Sequence, residues 1–163
     1  MGRSVSVSVV FTDLVGSTEL ASRLGPDESE QLRQAHFGLL RGALARAGGT
    51  EVKNLGDGLM VVFPSVTAAV DGAVAMQQAI ERRNRRAEVR LGVRIGIATG
   101  DAVEELEEDD GADDEGARRD YFGEPVVEAA RLCALAGGGE ILATDVVATL
   151  ARKSPHTFEP IGP

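Results

Sequence analysis

Tryptophan is absent from the 163 residues, and cysteine and tyrosine occur once each, as Cys133 and Tyr121. A lone cysteine excludes a disulfide framework. With only His36 and His156 beside it, a Cys/His zinc site has too few ligands. This cysteine usage fits a reducing, cytoplasmic compartment. Aromatic residues make up 4% of the chain, too few for a base-stacking platform. No basic face is evident either, so nucleic acid is not an expected partner. No apolar run approaches about 20 residues, so no membrane-spanning helix is expected.

What remains is ordinary globular material. Hydrophobic residues account for 43% and charged residues for 26%, and residues 1–163 are the right length for one domain. A domain of this size buries roughly two-thirds of its unfolded surface. The net charge of −9 is a local feature. Residues 104–115 (EELEEDDGADDE) hold nine acids and no base, and without them 17 acids balance 17 bases. Such a block repels itself. An acidic insertion at about 103–119 is therefore expected as a solvated loop or a protruding, partner-contacting arm.

Hydrophobic patterning orders the rest. Ser4 to Thr12 alternates and then turns continuously apolar, as a strand entering a sheet centre does. Asp13 to Thr18 make a turn into a helix start around Gly16. Residues 27–47 place Leu32, Ala35, Leu39, Leu40 and Ala43 three and four apart, a helical stripe closed by Gly48-Gly49. Thr50–Asn54 and Leu59–Phe63 read as a hairpin around Gly56-Asp57-Gly58. A second long helix follows from Pro64-Ser65 to about Arg86, then a strand over Val89–Thr99 in which Gly92 and Gly96 imply close backbone approach. Beyond the acidic block come a helix over Pro125–Ala136, a short strand at Glu140–Ala143 and a last helix from Thr144-Asp145. The expected class is α/β (α+β): a ferredoxin-like βαββαβ core extended by α-β-α, with helices packed on one face of the sheet.

Two carboxylates stand out. Asp13 ends the first strand, where ligands collect in open sheets, and the amides of Gly16, Ser17 and Thr18 follow at a helix start suited to phosphate. Asp13 or Ser17 could equally cap that helix, and Asp57 could simply be a turn residue. The expected topology puts the hairpin beside the first strand, however, so Asp13 and Asp57 converge. Together they suit one or two hard divalent cations, Mg²⁺ or Mn²⁺. Lys53 is either a solvated edge residue or a donor aimed into a pocket. Asp120 is either one more acid of its run or a site residue. Arg131, on an otherwise small and apolar helix, is either paired at an interface or waiting for an anion.

FTDLVGST, KNLGDG and DYFGEPVVEAAR, in this order and spacing, resemble the catalytic domain of class III adenylate/guanylate cyclases, most closely the bacterial, actinobacterial-type branch. The likeness covers about residues 5–162. It implies that Asp13, Asp57 and the Leu14 carbonyl hold two divalent cations, and that Gly16, Ser17 and Thr18 bind the β- and γ-phosphates. It further implies that Lys53 and Asp120 select the base and that Arg131 stabilises negative charge in the reaction. The family works as a head-to-tail dimer. One subunit supplies the aspartates; the other supplies the lysine, the selecting aspartate and the arginine. The implied reaction is ATP to 3′,5′-cyclic AMP and pyrophosphate in a homodimer.

Base choice follows from polarity. A lysine donates to adenine N1 and an aspartate accepts from the N6 amine, whereas guanine presents N1–H and O6 and would leave both unpaired. Each such mismatch costs on the order of 1–3 kcal/mol. Two positions depart from the family. Val127 stands where an asparagine usually helps stabilise the transition state, and the phosphate-binding lysine expected after the FEPIGP stretch would fall beyond Pro163, with Arg152 and Lys153 the candidate substitutes. Losing one such donor costs roughly 10²–10³ in rate, so slow catalysis is expected. A non-catalytic, nucleotide-binding regulatory module is the alternative. A diguanylate cyclase is not, because no Gly-Gly-Glu/Asp-Glu-Phe hairpin occurs.

Overall fold

The computed structural model describes residues 2–107 and 118–162. Its first strand, β1 (Arg3–Val15), leads into two helices, α1 (Ser17–Leu24) and α2 (Pro26–Arg46). Gly16 (φ 76°) makes the turn out of β1, and Gly25 (φ 81°) with Pro26 separates the helices. The hairpin β2 (Thr50–Asn54) and β3 (Leu59–Phe63) forms over the expected residues. Helix α3 (Val66–Asn84) is capped by Ser65, whose Oγ accepts from the Ala68 amide at 3.0 Å. There follow β4 (Gly92–Glu107), β5 (Arg118–Phe122), α4 (Glu124–Leu135), β6 (Ile141–Ala143) and α5 (Asp145–Leu150).

The sheet order is β2-β3-β1-β4-β5, antiparallel throughout, with β6 pairing parallel to the first half of β4. The α+β class and the βαββαβ order are as expected. Alternation along the strands produces two cores. Val10, Leu14, Val61, Val93, Ile95 and Ile97 face α2, α3 and α5, while Val7, Val9, Phe11, Met60 and Ala98 face α4. Helices on one face only were expected; α2, α3 and α5 do share one face, but α4 covers the other, because the strands' alternation leaves a second apolar face that it buries. Its seat is Gly96, where a Cβ would stand 2.2 Å from the Ala129 carbonyl oxygen and 2.4 Å from the Cys133 nitrogen. The close approach expected at this glycine is present.

The acidic insertion begins later than its composition implies. β4 runs on to Glu107, pairing Arg3 with Glu104 across β1 and Glu105 with Asp120 across β5. Glu104 is buried among polar partners: Tyr121 Oη donates to it at 2.9 Å, Arg3 Nε donates at 3.2 Å, and Arg119 lies at 3.8 Å. The Tyr121 hydroxyl, then the arginine charges, hold its carboxyl below the usual glutamate range against the opposing cost of burial. Residues 103–107 and 118–119 are thus strand. The remainder of the expected loop or arm, 108–117, lies outside the described residues.

Candidate active site

Three close contacts bring the hairpin to the end of β1. The Leu14 amide donates to the Asp57 carbonyl (2.7 Å), and the Leu59 amide donates to Thr12 Oγ1 (3.0 Å). The third is Gly58, where a Cβ would lie 1.7 Å from the Thr12 carbonyl oxygen, so only glycine lets the strands approach this closely. Asp13 and Asp57 accordingly stand on adjoining segments at one end of the sheet, as expected. Arg33 of α2 also reaches over, donating from Nη1 to the Gly56 carbonyl and pairing with Glu30 at 2.8 Å. The Glu30 hydrogen bond, aided by the Glu30 and Asp57 charges, raises the Arg33 pKa further against the opposing effect of burial. A cleft of about 360 Å³ opens there, lined by Leu14, Thr18, Ser29, Glu30, Arg33 and Asp57 among others.

Asp13 does not cap α1. The N-cap position is Gly16, with no side-chain cap. The Asp13 carboxylate is held instead by Arg94, its cross-strand partner on β4, at 2.6 Å from Nη2 and 2.8 Å from Nε. Arg94 Nη1 also donates to the Ala134 carbonyl at 3.1 Å, tying the end of α4 to this corner. Neither Arg33 nor Arg94 is marked out by the sequence. Arg94 sits in an alternating strand where an outward arginine is unremarked, and the partner it faces depends on register across two strands.

Lys53 and Asp120 meet although β2 and β5 occupy opposite ends of the strand order. Lys53 Nζ lies 3.1 and 3.3 Å from the two carboxylate oxygens. A register shift between Glu51 and Lys53 precedes the lysine on β2. The Asp120 side chain is 14% exposed and also accepts from the Tyr121 amide at 2.8 Å, while the lysine is 44% exposed. One partner is thus fixed and the other open to solvent. Arg131 is exposed on α4, its charge acting on Glu128 one turn back. The Val127 side chain, on the same helix and 49% exposed, has no hydrogen-bonding group.

Among the described residues no group of three or more His, Cys, Asp or Glu side chains could hold a metal ion. The candidate donors at the β1 end are two aspartates and main-chain oxygen. These hard oxygen ligands fit a small divalent cation whose remaining ligands come from phosphate and water. No described helix is long and apolar enough to cross a membrane.

Residues 1–163 match the family described as adenylate and guanylate cyclase catalytic domain. An adenylate cyclase of Mycosarcoma maydis is 37% identical over 159 residues, covering 88% of this chain and 6% of its own length. The chain thus spans only a small fraction of the curated relatives it matches. Among solved structures, the adenylyl cyclase CyaB from P. aeruginosa superimposes with a TM-score of 0.80 at 26% identity, over 94% of this chain and 83% of that one. The guanylyl cyclase Cya2 gives 0.82 at 25% identity, over 92% and 80%. The chain belongs to the adenylate/guanylate cyclase catalytic domain family. Because its structural likeness extends to adenylyl and guanylyl cyclases alike, that likeness does not choose the nucleobase.

Proposed function

We propose that this domain is an adenylate cyclase acting as a head-to-tail homodimer in the cytoplasm, converting ATP to 3′,5′-cyclic AMP and pyrophosphate. The observation that supports ATP is the contact between Lys53 and Asp120: a donor and an acceptor side by side, the polarity that complements adenine N1 and N6. Asp13, Asp57 and the Leu14 carbonyl would hold Mg²⁺ or Mn²⁺, two ions per site. Bound there, the cations lower the pKa of the ribose 3′-OH and neutralise triphosphate charge.

The chain's own groups do the rest. The Gly16, Ser17 and Thr18 amides at the start of α1 bind the β- and γ-phosphates, helped by the helix dipole. Lys53 and Asp120 of the partner protomer fix the adenine and so orient the ribose. Arg131 of the partner meets the charge that develops as the 3′-oxygen bonds to the α-phosphorus and the bond to the β-phosphate oxygen breaks. The 3′-OH proton leaves to solvent and pyrophosphate departs. In the free domain Arg94 pairs with Asp13, and it would share that carboxylate with a cation held there.

The deciding assay is cyclic nucleotide formation from ATP and from GTP, with Mg²⁺ and with Mn²⁺, beside Asp57→Ala. Cyclic AMP from ATP alone, lost in the variant and rising faster than linearly with protein concentration, is the expected result. No product above the variant at any concentration would leave the second reading, a non-catalytic nucleotide-binding module, which Val127 favours.

A further inference from the structure

Away from the paired aspartates, α2 and α3 enclose a second cleft of about 540 Å³. Its rim is formed by five arginines: Arg46 from the last turn of α2, and Arg82, Arg83, Arg85 and Arg86 from the end of α3 and the residues after it. Cations in a last helical turn are favoured by the helix dipole, which accounts for Arg46, Arg82 and Arg83. Arg85 and Arg86 lie at and beyond the helix end. Of these five, only Arg85 has a carboxylate at ion-pair distance among the described residues, Glu81 at 3.1 Å. Arg83 is half-buried and held in place by donating to the Val89 carbonyl and to Asn84 Oδ1. Five like charges around one concavity, in a chain of net charge −9, repel one another and focus a local positive potential.

The α2 side of the cleft adds an independent observation. Gly38 and Gly42, four residues apart in α2, line the same cleft. Neither has a positive φ, and a Cβ on either would meet nothing within 4 Å. Glycine inside a helix is less stable than alanine, and here neither packing nor backbone geometry repays the difference. Both are exposed, so a side chain at either position would project into the open space of the cleft.

We propose that this cleft binds a small, soluble, multiply phosphorylated molecule at a site separate from the nucleotide site. Its volume is that of an ordinary small-molecule pocket. Guanidinium groups match phosphate oxygens in a bidentate fork, and so many of them require a ligand bearing several charges rather than a single carboxylate. The inference does not depend on which nucleotide the domain cyclises.

The probe is inorganic tripolyphosphate, titrated calorimetrically in the presence of EDTA so that no cation bridges it to Asp13 and Asp57. The wild type is compared with Arg82→Ala/Arg86→Ala, with Gly42→Leu and with Asp13→Asn/Asp57→Asn. One saturable site is expected, unchanged in the aspartate variant and weakened on the order of tenfold per arginine removed. Gly42→Leu should weaken binding at least about tenfold by projecting into the cleft, with no fall in its thermal midpoint. Absence of saturable binding, equal affinity in the arginine variant, or loss in the aspartate variant would overturn the proposal. So would partition onto phosphoinositide vesicles without tripolyphosphate binding, which would assign the arginines to a membrane surface.

Discussion

Asp120 is held by its own neighbour's amide while Lys53 reaches it from solvent, so on this reading the pair is half pre-organised before any nucleotide arrives. Reversing its polarity should reverse the base. In Lys53→Glu/Asp120→Asn the glutamate accepts from guanine N1–H and the amide of the asparagine donates to O6. At on the order of 1–3 kcal/mol per inverted contact, the ATP-to-GTP ratio of kcat/KM should fall at least about tenfold. An unchanged ratio would remove Lys53 and Asp120 from base selection. His36 presents another residue-scale case. It is fully buried and neither ring nitrogen has a hydrogen-bond partner among the described residues. Burial, then the Arg83 charge, pushes its pKa down to about 4, against the opposing pull of Asp57. The folded state therefore keeps His36 neutral while the unfolded chain protonates it near pH 6.5, so stability is lost as pH falls from about 6.5 to about 4. The loss reaches on the order of 3 kcal/mol. Urea unfolding at neutral and acid pH should show this in the wild type, and His36→Leu should remove that part of the difference.

At the scale of elements, the site depends on how closely the hairpin rides on β1. Gly58→Ala cannot be accommodated without moving one strand, because the new methyl would lie 1.7 Å from a main-chain oxygen. The displacement carries Asp57 away from Asp13. Activity should fall on the order of 10²-fold, out of proportion to any change in thermal midpoint. Equal activity would show that the two aspartates need no such registration. The same scale explains what the sequence conceals. The hairpin, both long helices and the motif residues are legible because each rests on local periodicity or local turn chemistry. β5 and the second half of β4 are not. Their residues read as acidic and polar surface, and they are strand because they pair with β1 and with each other, where Glu104 finds Tyr121, Arg3 and Arg119.

For the whole molecule, a head-to-tail dimer implies that one protomer's aspartates work with the other's Lys53, Asp120 and Arg131. Two inactive variants should then complement. Asp57→Ala mixed with Lys53→Ala in equal amounts forms heterodimers having one intact site, and about a quarter of wild-type activity should return. Failure of any mixture to recover activity, with both variants folded and dimeric, would place all five residues in one subunit's site. Charge is also a property of the whole molecule. Setting the acidic block aside gives an even balance by composition, yet folding gathers five of the 17 basic residues around one cleft.

By itself the sequence determined the fold class, the hairpin, the helices and the motif residues, because these follow from side-chain periodicity, glycine placement and short-range spacing. Only the tertiary structure decided that Arg94 neutralises Asp13, that Lys53 meets Asp120 from the far end of the sheet, that α4 lies opposite α2 and α3, and that the arginines converge. Each of those depends on strand register and on packing between residues tens of positions apart, where a shift of one residue turns a side chain to the other face.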